Sequence, residues 1–188
     1  MGTEIILASA SPRRREILSE IVPAFQICPA DCGEEVNDTL PPEALVARLA
    51  RQKAENVFAR FPSAAVLGAD TIVYFGGRVL GKPRDADDAK STLRTLSGKT
   101  HSVYTGYCIL WGDACVTGAC ETEVEFNELS DAFIEEYVAG GSPLDKAGSY
   151  GIQDDARLVR AYRSSYTNIV GLPKEEIEKQ FRKIGLLQ

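Results

Sequence analysis

Histidine is nearly missing from this chain: His101 is the only one, and a single tryptophan and a single methionine accompany it. With no second histidine, a histidine-based metal site and a two-histidine mechanism are excluded. A Ser-His-Asp triad would have to use His101, yet no G-x-S-x-G elbow is present. "SGKTHS" does not complete a Walker A loop. No apolar run approaches the ~18 residues of a membrane span, and "MGTEIILASASP" has neither the basic start nor the apolar core of a secretory signal. Ile6 stands where a myristoylation signal needs Ser or Thr. A cytoplasmic location away from membranes is expected. Positive charge is also short. Lysine and arginine number 21 against 27 acidic residues, giving a net charge of −6, and a nucleic-acid partner is not expected of so acidic a chain. Five cysteines make an odd set without any C-x-x-C, which argues against a disulfide framework. Cys28/Cys32 and Cys115/Cys120 have spacings open to zinc. The stronger expectation is that four of the five pack as small apolar residues.

What the chain does have is 44% hydrophobic and 26% charged residues, with no repeat and no linker. One domain over residues 1–188 is expected, or two small lobes sharing a core. "EIILAS" reads as a short buried strand. Ser11 and Pro12 then occupy the cap and first turn of a helix that ends by Pro23. A second helix is predicted from Pro42 to Phe61, with Leu45, Leu49, Val57 and Phe61 as its apolar stripe. "AAVLGADTIVYF" reads as a strand broken by Gly68, turned by Gly76-Gly77 into "RVLGKP". Asp85 opens a helix closed by Gly98. Thr100–Glu128 reads as an antiparallel hairpin about Gly112-Asp113. Ser130 opens a helix through Val138, "DKAGSYGIQ" is a polar loop or short helix, and "RLVRAYRSSYTNIVGLP" reads as a strand pair. Pro173 opens a last amphipathic helix. The mixed order predicts an α/β protein with a mixed sheet.

Two stretches carry chemistry. "LASASPRRREIL" places Arg13, Arg14 and Arg15 at a capped helix start, where unpaired N–H groups and the helix dipole favour anions. Cations there oppose the dipole, so their placement is accounted for if an anion arrives, and the guanidinium fork suits phosphate oxygens. The alternative is a solvated basic helix start. "LGADTIV" sets Asp70 and Thr71 inside an apolar run. A buried carboxylate is costly unless a cation, a metal or donors face it, so Asp70 reads as a metal ligand or a general base aimed into a cleft. The alternative is a turn cap after Gly68. Lys53, Lys82, Glu34 and Glu35 taken singly read as surface charges. In "DKAGSYGIQDD" the glycines permit close approach to a ligand, and the Gln153 amide can both donate to and accept from a base edge. A surface turn is the plainer reading.

In order, "LASASPRR", "GEE", "LARQKA", "GADTIV", "LGKP", "LSGKTHSV", "DKAGSYGIQ" and "NIVGLP" resemble the Maf family of nucleoside triphosphate pyrophosphatases, over Leu7 to Pro173. The resemblance implies cleavage of a nucleoside triphosphate to the monophosphate and pyrophosphate, with a divalent metal, usually Mg²⁺. It implies a twisted mixed sheet with flanking helices, two lobes around a central nucleotide cleft as in ITPase-like folds, and often a homodimer. Carried over residue by residue, Asp70 is the general base, Arg13, Thr71 and Gln153 are linked to specificity, and Ser9, Ser11, Arg14, Glu34, Lys53 and Lys82 complete the site. The "DKAGSYGIQ" form resembles the branch acting on dTTP and UTP. The branch acting on methylated guanosine nucleotides lacks this glutamine. Two departures stand out. The family commonly places glycine after the glutamine, whereas this chain has Asp154 and Asp155. Near its end this chain reads "SSYTNIVGLP", with Ser165 before Tyr166, where the family tends to "GxY-x-x-V-x-GLP". Extra carboxylates near a polyphosphate would weaken binding or shift base preference, unless they face solvent.

The expected mechanism follows from the charges. Arg13 and Arg14 hold the phosphates, Lys53 and Lys82 meet the charge growing on the leaving pyrophosphate, and Glu34 with Asp70 holds the metal. Asp70 deprotonates the attacking water while Thr71 and Gln153 read the base. Arg15 is expected to face solvent. Two rivals remain at this stage. One is a nucleotide-binding regulator of division or septum formation without essential turnover. The other is a phosphomonoesterase with an aspartyl nucleophile, which the absence of an early D-x-D disfavours.

Overall fold

The computed structural model describes residues 3–33 and 39–187. The first strand, β1 (Ile5–Leu7), is wholly buried. It leads through Ala8–Ala10 into α1 (Pro12–Ser19), where the Ser11 hydroxyl accepts from the Arg14 N–H at 3.5 Å and Pro12 sits in the first turn. β2 (Gln26–Ile27) pairs with β1 in parallel. α2 (Pro42–Phe58) buries Leu45, Val46, Leu49, Ala50, Ala54 and Val57. It stops three residues before the predicted end, and Phe61 lies 36% exposed outside its stripe.

β3 (Ala65–Phe75) runs unbroken through Gly68. The glycine serves packing. A Cβ on Gly68 would sit 2.3 Å from the Ala50 carbonyl oxygen, and one on Gly106 would sit 2.2 Å from that of Val46. Both glycines let α2 lie directly on the sheet. Gly76 and Gly77, at φ of +58° and +79°, make the two-residue turn into β4 (Arg78–Leu80). α3 (Ala86–Leu96) is capped by Asp85. The long hairpin β5 (Thr100–Trp111) and β6 (Ala114–Phe126) turns at Gly112-Asp113, and α4 (Asp131–Ala139) follows under a Ser130 cap. Two 3-10 turns cover Ser142–Asp145 and Ala147–Ser149.

The predicted strand pair near the C-terminus is one strand and one helix. β7 (Val159–Arg163) pairs with β6. Ser164, at φ +105°, then turns the chain out of the strand. Ser165 caps α5 (Tyr166–Val170) by accepting from the Asn168 N–H at 3.3 Å, and Gly171 ends it at φ +127°. α6 (Lys174–Lys183) closes the fold.

The sheet order is β2-β1-β3-β5-β6-β7, with β4 also on β3. Its first two pairings are parallel and the rest antiparallel. This is the expected mixed α/β architecture. Side chains alternate across the sheet. Val66, Ile72, Tyr104, Cys108 and Leu110 meet α2 on one face. The other face carries two cores. Leu7, Leu67, Ala69, Tyr107 and Ile109 pack with α1 and α6, while Val73, Val103, Val124 and Phe126 pack with α3 and α4. His101 belongs to this second core. Its Nε2 is 2.7 Å from the Tyr150 hydroxyl, its ring lies edge-on to Phe126, and burial pulls it down to about 4. Among the described residues Cys28, Cys108 and Cys120 pack against cores, while Cys115 is exposed. No helix among the described residues is long and apolar enough to cross a membrane.

Candidate active site

The lengths of the strands create an opening. β1 pairs with β3 only as far as Leu7 opposite Leu67, and β4 joins the same edge only from Val73. Between them, residues 68–72 pair with no strand on that edge among the described residues. Asp70 and Thr71 lie in this notch. The segment leaving β1, which carries Ser9, Ser11, Arg13 and Arg14, flanks it on one side. Gly81 and Lys82, leaving β4, flank it on the other.

Alternation sends Asp70 and Thr71 to opposite faces. Asp70 points to the α2 side and is buried at 7% exposure, with Lys53 of α2 paired to its Oδ1 at 2.5 Å. The ammonium supplies the countercharge that a buried carboxylate requires. Thr71 points the other way. Its hydroxyl receives Arg14 Nη2 at 3.0 Å and lies 2.9 Å from the Thr105 hydroxyl. Arg14 also donates Nε to the Gly171 carbonyl at 2.8 Å and Nη1 to Ser9 at 3.1 Å. The second arginine of the triplet therefore ties the α1 start to β3 and to the end of α5.

The same network crosses the sheet between the two cores. Thr105 donates to the Asn168 carbonyl at 2.9 Å, and Asn168 Nδ2 donates to the Val103 carbonyl at 3.1 Å and to Thr122 at 3.0 Å. Thr105, Thr122 and Asn168 are all fully buried. Sequence reasoning passed over these three. Only Thr105, inside "VYTGYCIL", carried the kind of signal that singled out Asp70, since Thr122 sits between Glu121 and Glu123 and Asn168 follows "SSYT".

Arg13 takes a different course from Arg14. It is partly exposed, and among the described residues it pairs with Asp145, at 4.0 Å. Burial pushes Asp145 up, and Lys146 with Arg13 outweighs it, leaving the carboxyl below the usual aspartate range. Arg15 is exposed, as expected. Lys82 and Gln153 are also exposed, and among the described residues no hydrogen bond ties either to Asp70 or Arg14. Glu34 lies outside the described residues. Asp154 and Asp155 are engaged within their own loop. Asp155 accepts from Arg157 at 2.8 Å, and Asp154 accepts from Tyr137 and Ser142 at 2.7 Å each.

Among the described residues no three His, Cys, Asp or Glu side chains gather as a metal cluster. Mg²⁺ rarely needs one. It is held by one or two carboxylates together with substrate phosphates, and Asp70 at an open sheet edge is a hard oxygen donor of that kind.

A dTTP/UTP pyrophosphatase of Thermococcus gammatolerans is 47% identical over 182 residues, covering 96% of each chain. One from Anaeromyxobacter dehalogenans is 45% identical over 190 residues, covering 98% of this chain and 96% of its own. The Ham1 protein of Staphylococcus aureus, only 12% identical, superimposes with a TM-score of 0.52 over 97% of this chain and all of its own, and so shares the fold. The profile of the Maf-like protein family matches residues 4–184, and the chain belongs to that family.

Proposed function

We propose that this protein hydrolyses dTTP and UTP to the monophosphate and pyrophosphate. The observation that carries the reading is the Asp70–Lys53 pair at the uncovered edge of β3, flanked by the arginine-bearing start of α1. The relatives that cover nearly the whole chain, both dTTP/UTP pyrophosphatases, supply the substrate class.

The notch sorts the site residues into two groups. On the α2 face, Asp70 takes the proton of the attacking water, and Lys53 stands beside it to receive charge as the α–β phosphoanhydride breaks. Lys82, across the notch, and Arg13, at the α1 start, contribute further positive charge toward the polyphosphate. On the opposite face Thr71, held by Arg14 and Thr105, forms a fixed wall, and Gln153 reads the base. Ser9 and Ser11 shape the turn into α1, with the Ser11 N–H donating to the Ser9 hydroxyl at 3.2 Å. A divalent cation, Mg²⁺ in our reading, would be held by Asp70 and, by the family pattern, Glu34, and would neutralise polyphosphate charge. We read the chain as one domain of two lobes, because β3, β5 and β6 run through both cores. Five free cysteines suit a reducing cytoplasm.

The test is a panel of nucleoside triphosphates with Mg²⁺ or Mn²⁺, with pyrophosphate and orthophosphate assayed separately. Pyrophosphate release fastest from dTTP and UTP supports the reading. Orthophosphate as the first product, or no release from any nucleotide, overturns it.

A further inference from the structure

Gln153 has no hydrogen bond of its own among the described residues, but both of its neighbours are anchored. The Asp154 N–H donates to the Gly151 carbonyl at 3.0 Å, which closes a four-residue turn with Ile152 and Gln153 at its corners. Ile152 packs inward against both cores. Asp154 folds back over the turn so closely that a Cβ on Gly151 would lie 2.8 Å from its Oδ1.

The Asp154 carboxylate sits in a polar clamp. Its Oδ2 accepts from the Tyr137 hydroxyl of α4 and from Ser142, and lies 3.6 Å from the Lys146 ammonium. Lys146, only 8% exposed, also donates to the Ser142 carbonyl at 2.6 Å, the Ser142 hydroxyl at 2.8 Å and Asp145 at 2.9 Å. The Tyr137 oxygen in turn accepts the Gly151 N–H at 3.1 Å. Burial, then Asp154, raises the Tyr137 phenol well above its ordinary range, so it stays a donor. One ammonium and one phenol therefore tie both ends of the segment 142–154. The aspartate at the centre is the residue that replaces the glycine common after this glutamine.

We propose that Lys146, Tyr137 and Asp154 are positioning residues for Gln153, holding its amide at the angle that meets the base edge of a pyrimidine nucleoside triphosphate. This rests on the reading of Gln153 given above. The clamp acts through backbone placement and touches no substrate atom. With an anchored turn, less loop ordering remains to be done when the nucleotide binds.

The experiment compares Asp154→Asn, Tyr137→Phe, Gln153→Ala and the double variant Asp154→Asn/Gln153→Ala, with melting temperature as the folding control. For each, kcat and KM are measured on dTTP, UTP, dCTP and GTP. Asp154→Asn is expected to raise KM for dTTP and UTP about tenfold, the size of one lost charge-assisted contact, with kcat falling much less. Preference over dCTP and GTP narrows by a similar factor. The double variant should be no worse than Gln153→Ala alone, since both remove the same contact. If Asp154→Asn does not fold, Tyr137→Phe carries the same expectation. Folded variants with the wild-type preference, or with all four nucleotides impaired equally, overturn the inference. A wild type that releases no pyrophosphate from any nucleotide overturns the functional reading itself, and the inference falls with it.

Discussion

The two faces of β3 at the notch differ in how their polar groups are satisfied. On the α2 face Asp70 and Lys53 pair with each other, amid apolar packing that two glycines bring close to the sheet. On the opposite face Arg14, Thr71, Thr105, Asn168 and Thr122 bond to one another and to backbone carbonyls in one continuous network. The first arrangement leaves charge that an incoming anion can engage, since an ion pair re-partners readily when a polyphosphate and a cation arrive. The second links the start of α1, β3, β5, β6 and α5 through side chains that bond one another, and so holds geometry. In the proposed reaction, the alternation of a single strand puts the chemistry on one face and the bracing contacts on the other.

Asp70→Asn tests the α2 face directly. A general base contributes on the order of 10²–10⁴ in rate. The variant should lose about 10³ in kcat for dTTP while remaining folded and still binding nucleotide. Full activity would remove Asp70 from the chemistry. A collapse in stability with kcat intact would make the α2 face the scaffold.

Asn168→Ala is the matching test on the other face. It removes two buried hydrogen bonds, to the Val103 carbonyl and to the Thr122 hydroxyl, which keeps its bond to the Ser165 carbonyl, and each such bond contributes roughly 0.5–1.5 kcal/mol. A loss of about 2 kcal/mol is expected, read as a melting temperature lower by roughly 4–8 °C for a chain of this size. An unchanged melting temperature would show that the network does not hold the two cores together.

What the sequence disclosed follows the same division. Asp70 announced itself because a carboxylate in an apolar run needs a partner, and the Ser11 cap and the Gly76-Gly77 turn are local rules that need no tertiary knowledge. Lys53 looked like any surface lysine, since only the packing of α2 on the sheet delivers it to Asp70. Gly68 was read as a strand breaker because the chain does not reveal that α2 will press on it. α5 was misread as strand because "SSYTNIV" is rich in β-formers. A serine cap, a left-handed glycine and the partners of Asn168 override that propensity. Arg14 was assigned to phosphate from the capped helix start and its guanidinium fork, and its bonds to Gly171, Ser9 and Thr71 could not be read from the chain. Contacts between residues dozens of positions apart leave no local trace.

A third test reaches the core on the braced side. His101 falls to about 4 in the fold, from an unfolded value near 6.5, because burial disfavours its charged form. The unfolded chain therefore binds the extra proton first. The stability due to neutral His101 is fully present above pH 6.5 and declines as pH falls toward 4. By pH 5, before most carboxylates titrate, the loss is about 2 kcal/mol. Denaturant unfolding of wild type and His101→Phe between pH 7 and 5 checks this, and the variant should lose the slope over that window. An equal slope in both proteins would assign the dependence to other groups.

The smallest effect is expected where the arginine triplet ends. Arg13 pairs with Asp145, Arg14 is bonded to Ser9, Thr71 and Gly171, and Arg15 turns to solvent with no partner among the described residues. A surface substitution away from such contacts stays within about 0.5 kcal/mol, so Arg15→Ala should match wild type in melting temperature, in KM and in kcat. Long-range attraction is the one way Arg15 could still matter, and it is screened by salt. KM for dTTP measured at low and at high ionic strength therefore isolates it. A rise in KM confined to low salt would make Arg15 a steering charge, and a rise at both would bring the third arginine into the site beside Arg13.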